Sequence, residues 1–100
     1  MARTMAGDEH AYRVIVKMTY IGPDVYSKYN PGMVTKAHGW TDETICGPYS
    51  KHSTAKGIRS SMVRPFQREN DYKMSQGLPP EWDIDARIQK AKIVWEDVND

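Results

Sequence analysis

Thr44-Ile45-Cys46-Gly47-Pro48-Tyr49-Ser50, leading straight into residues 51–62, is the stretch whose reading decides the fold. Gly47-Pro48 punctuates its apolar run, because glycine is conformationally permissive and proline fixes φ and offers no N–H to a ladder. Ser50 or Ser53 can then cap the first turn of a helix. Ala55, Ile58, Met62 and Phe66 follow at spacings of three or four, which sets them on one helical stripe. The stretch predicts a strand, a tight turn and a helix over 51–63, ended by Pro65, which disfavours helical geometry at Arg64.

Upstream, Tyr12 to Ile21 reads as the clearest strand. Tyr12, Val14, Val16, Met18 and Tyr20 alternate onto one face, and Gly22-Pro23-Asp24 ends the run. Residues 25–39 hold Tyr26, Tyr29 and Asn30-Pro31-Gly32 without a clean period and read as an exposed loop. A second strand is expected over about 40–46. Residues 67–82 read as a second long loop, stiffened by Pro79-Pro80, with Trp82 holding its end against the core. The last segment supports two readings. As a helix, Ile84, Ile88, Ala91, Trp95 and Val98 share a stripe with Asp83 as cap; as a strand, Ala91, Ile93 and Trp95 share a face. Two strands and one helix make a poor sheet, so a third strand is the preferred reading. Residues 1–9 are expected to form a flexible tail before a single domain over 10–100.

The expected fold is therefore α+β: a small antiparallel sheet of two or three strands, one helix packed on one face, and two long loops. Its core is expected from Tyr12, Val14, Val16, Met18, Ile45, Ala55, Ile58, Met62 and Trp95.

Composition narrows the function classes. The 100 residues are enough for one modest core. Only 39% are hydrophobic, and the mean hydropathy of −0.72 leaves a wet surface. Fourteen Lys+Arg against 13 Asp+Glu give a formal charge of +1, which neither demands nor excludes a nucleic-acid partner. No apolar run approaches the about 20 residues needed to span a bilayer, so no membrane partner is expected. The first residues lack the apolar region of a signal peptide. Cys46 is the sole cysteine, so no intrachain disulfide can form and a reducing cytoplasm is the natural setting.

Little in the chain is arranged for chemistry. His10, His38, Cys46 and His52 offer no pair at metal-finger spacing, so neither metal nor cofactor is expected. Cys46 with His52 is the one conceivable nucleophile and base, but nothing supplies an oxyanion hole, and no catalytic residue is assigned. Two binding surfaces remain. The aromatic residues Tyr26, Tyr29, Tyr72 and Trp82, all placed on the two long loops, suit a protein partner. Lys51, His52, Lys56, Arg59, Arg64 and Arg68 form a basic helix edge suited to phosphates. Thr54, Gly57 and Ser61 make a small-residue stripe, read as close approach of the helix to the sheet or to a second copy.

The tryptophan-started strand at Trp40, the Gly47-Pro48-Tyr49-Ser50 turn, Ala55-Lys56-Gly57 and the terminal Trp95-Glu96-Asp97-Val98 resemble small accessory proteins of actinobacterial bacteriophages, over roughly residues 40–98. That resemblance implies a phage origin and an accessory role in host takeover, and carries no catalytic residue. The expectation that follows is a non-enzymatic protein that binds a host protein; the alternative is nucleic-acid binding along 51–68.

Overall fold

The computed structural model describes residues 9–98. Six elements follow in order: β1 (His10–Tyr20), β2 (Val25–Tyr26), β3 (Val34–Lys36), β4 (Thr41–Tyr49), α1 (His52–Ser75) and β5 (Trp82–Lys92). β1 is the centre of an antiparallel three-stranded sheet of order β4-β1-β5, and β2 and β3 form a separate two-stranded hairpin. The chain is an α+β fold, as its periodicity predicts.

The alternation of β1 decides which sheet face is covered. Val14, Val16, Met18 and Tyr20 point to α1 and are buried, joined by Ala55 and Val63 of the helix and Trp82 of β5. Fully burying a side chain such as Val14 or Val16 contributes about 1.5–3 kcal/mol, so these few residues dominate the stability of a thin core. Register places Ile88, Ala86 and Ile84 of β5 opposite Val14, Val16 and Met18, on the same covered face. Among the described residues the other face has no second layer, and the molecule is only 18 Å through its thinnest dimension. Ile15 is nonetheless buried there, between its register partners Ile45 and Arg87.

Several expectations are corrected. The peptide Gly47-Pro48 does not turn the chain: it is cis and lies inside β4, where the register with β1 slips between Tyr12 and Val14. Gly47 has φ 126°, and a Cβ there would stand 3.0 Å from the Tyr12 carbonyl oxygen, so the slip needs glycine. Neither Ser50 nor Ser53 caps the helix; the capping position is Lys51, which makes no side-chain capping bond.

The helix does not stop at Val63. It runs through Pro65 to Ser75, so Tyr72 is helical and the second loop shrinks to residues 76–81. Proline costs an interior helix its hydrogen bond, but Phe66 and Asn70 beyond it both bind the Trp82 end of β5, and that packing overrides the local preference. The first loop is also not irregular, since it holds the β2–β3 hairpin. Residues 84–92 are strand, starting at Trp82 and ending before Ile93. Ile45 and Trp95 are exposed rather than core, Ile45 because it faces the uncovered side and Trp95 because it lies beyond β5. Gly57 lies on the exposed face of α1 with no neighbour, so its small-residue stripe does not serve contact with the sheet. Of the expected tail, residues 1–8 fall outside the described residues. Glu9 is placed, accepting from the Ile93 N–H at 2.9 Å.

Candidate functional site

An exposed apolar surface grows from the end of β1. The Tyr20 ring folds back over Gly22, where a Cβ would lie 2.6 Å from its hydroxyl oxygen, and the hydroxyl donates to the Pro23 carbonyl at 2.7 Å. Asp24 then accepts from the His38 N–H at 2.7 Å, and a His38 ring nitrogen lies 2.9 Å from the Gly22 carbonyl. Backbone bonds from Tyr20 N to the Trp40 carbonyl and from Gly39 N to the Tyr20 carbonyl close the root. The hairpin is thus fixed at its base.

Beyond the base the hairpin supports itself. Val25 pairs with Lys36 and Tyr26 with Val34, and the Thr35 hydroxyl donates to the Val25 carbonyl. At the tip the Ser27 hydroxyl accepts from the N–H groups of Tyr29 and Asn30, and Gly32 takes φ 89°. The result presents Tyr29 at 89% exposure, Tyr26 at 59% and Met33 at 55%, with Val34 beside them. A hydrogen-bonded hairpin that carries exposed aromatic and aliphatic side chains outside the core has the composition of a binding anchor.

Lys36 ties this arm electrostatically to the domain. Its ammonium lies 5.7 Å from the Tyr20 ring centre, 5.8 Å from that of Trp82 and 4.0 Å from the Glu81 carboxylate. Lys73 bonds the other Glu81 oxygen at 2.9 Å, and that hydrogen bond, then the charge of Glu81, raises the lysine pKa. Burial, then the negative charge of Glu81, pushes the Tyr20 phenol up.

The four aromatic residues singled out from sequence therefore separate. Tyr26 and Tyr29 share the hairpin, and Tyr72 is exposed on α1 far along the chain from them. Trp82 is core, edge-on to Tyr20, Phe66 and Trp40, with its indole N–H donating to Glu69 at 2.6 Å. Met33 and Val34 were missed by sequence reasoning. Asn30-Pro31-Gly32 between Val25-Tyr26 and Met33-Val34 is a hairpin signal that could have found them.

The basic set divides as well. Lys56, Arg64 and Arg68 are exposed on α1, Lys51 precedes it, and Arg59 is half-buried on the flank toward β5. The His52 ring stacks on Tyr12 at 5.2 Å. No acidic residue occurs from Ser50 to Arg68, and none of Lys51, Lys56, Arg59, Arg64 and Arg68 joins an ion pair among the described residues. Arg59 and Arg64 line a groove of about 510 Å³ between α1 and β5.

Cys46 and His52 are each engaged elsewhere, the thiol donating toward the Met62 sulfur at 3.7 Å. Among the described residues no three His, Cys, Asp or Glu side chains cluster as metal ligands, and no helix is long and apolar enough to cross a membrane. Comparison with known proteins returns no protein family, no curated protein and no solved structure similar to this chain.

Proposed function

We propose that this chain is a small, non-enzymatic, phage-type accessory protein that binds a host protein and modulates it, with the β2–β3 hairpin as its contact. The observation that carries the reading is the hairpin tip, where Tyr26, Tyr29 and Met33 are ordered by their own turn yet left open to solvent. Tyrosine supplies contact area at low entropic cost, so two on a braced turn form an efficient anchor. The cytoplasm of the host is the expected setting. Affinity capture from nuclease-treated host lysate tests the proposal. A specific protein retained by wild type and by Lys56→Glu/Arg68→Glu, but lost by Tyr26→Ser/Tyr29→Ser, is the expected result. Capture indifferent to the tyrosines contradicts it.

A second reading, nucleic-acid binding, is favoured by the acid-free basic run from Lys51 to Arg68. Phosphate contacts along α1 give affinity that falls steeply with salt. Under this reading Lys56→Glu/Arg68→Glu abolishes binding to a DNA or RNA duplex, and the tyrosine pair leaves it unchanged.

A further inference from the structure

Two parts of this molecule are incomplete in complementary ways. The first is the outer side of β5. As an edge strand it carries one row of backbone donors and acceptors outside the sheet ladder, and such an edge is a template for a further strand. Beside it runs the groove of about 510 Å³, with Val63, Ile84 and Ala86 at its base and the polar side chains of Arg59, Ser60, Arg64 and Gln67 of α1 along its wall. Apolar floor, basic wall and open strand edge together suit an extended segment that is both apolar and acidic.

The second part is such a segment. Residues 94–98 have no regular structure, and Val94, Trp95 and Val98 are 74%, 73% and 81% exposed. Glu96 and Asp97 stand among them, both exposed. The Trp95 indole N–H reaches Glu9 at 2.6 Å, but the ring itself is left in water. Three large apolar side chains on the five residues 94–98, packed on no element among the described residues, call for a cover.

We infer that residues 94–98 of a second copy lie along the free edge of β5 as an added strand, and that the exchange is reciprocal about a two-fold axis. Alternation along a strand sends Val94, Glu96 and Val98 to one side and Trp95 and Asp97 to the other. Each side then brings one acid and apolar surface. One acid faces Arg59 and Arg64 above the groove. The other faces the open side of the sheet, where β5 presents Arg87. Asp83 and Asp85 lie on that same open face and repel an acid, so they bias the register toward the Arg87 end. The arm's apolar side chains cover the half-buried Ile84 and Ala86.

Sedimentation velocity on the nuclease-treated full chain, across a concentration series, tests this. Wild type is expected to dimerise. Arg59→Glu/Arg64→Glu and Glu96→Arg/Asp97→Arg are each expected to weaken the dimer by about tenfold or more, and mixing the two variants is expected to restore association. Three results overturn the inference: a wild type that stays monomeric at about millimolar concentration, a dimer indifferent to both pairs (direct pairing of β5 with β5), or sensitivity to only one pair with no rescue on mixing.

Discussion

The Asn70 side chain acts as a backbone surrogate for Trp82. Its amide oxygen accepts from the N–H groups of Trp82 at 2.9 Å and Glu81 at 3.0 Å, while its amide nitrogen donates to the Trp82 carbonyl at 2.9 Å. One helical residue thereby closes the start of an edge strand, and this explains why α1 must continue past Pro65. Asn70→Ala leaves three partly buried backbone groups without a partner. A loss of about 2–3 kcal/mol is expected by urea denaturation. An unchanged midpoint contradicts the surrogate role.

Gly22 lies under the Tyr20 ring with no space for a Cβ. Gly22→Ala is expected to cost about 1–3 kcal/mol by overpacking. It also displaces the Tyr20 hydroxyl from the Pro23 carbonyl, so the hairpin root loosens. Amide exchange at His38 and Gly39, both bonded at that root, is expected to quicken more than exchange in β5.

The single covered face of the sheet makes opposite demands on neighbouring positions. Val16→Ala removes a fully buried side chain from beneath α1 and is expected to cost about 2 kcal/mol. Ile45→Ser, on the uncovered face, loses only its strand propensity and its cover of Ile15 and is expected to cost no more than about 1 kcal/mol. Equal costs would mean a layer covers both faces.

Two raised pKa values make stability fall at alkaline pH. Lys73 gains the Glu81 hydrogen bond in the fold, so its stabilisation is complete below the unfolded lysine pKa of about 10.4 and is lost as pH rises through the raised native value. Tyr20 keeps its proton in the fold where an unfolded tyrosine, at about 10, has lost it, so stability again falls as pH rises. The melting temperature is expected to drop above pH about 10. Tyr20→Phe is expected to flatten that drop in part and leave the Lys73 component; an unaltered slope contradicts the assignment to Tyr20.

Periodicity carried the fold where it was strong. The alternation in β1 and the stripe of Ala55, Ile58, Met62 and Phe66 placed one helix on one sheet face. It failed where a long-range partner decides the local state. Pro65 is a helix-ending signal in isolation, and only the bonds from Asn70 to Glu81 and Trp82 make the longer helix worthwhile. Gly47-Pro48 signals a turn by composition, but the opposing Tyr12 and Arg13 backbone absorbs it as a slip in register. Exposed tyrosines at 26 and 29 were legible as candidates, whereas their union with Met33 depends on a two-residue ladder too short to leave a period.

Site-specific photo-crosslinking in host cells tests the hairpin most directly. A photoreactive residue placed at Tyr29 is expected to join the chain to one discrete host protein, while the same residue at Ser61, on the exposed face of α1, captures none. Crosslinks at Ser61 with none at Tyr29 would contradict the account.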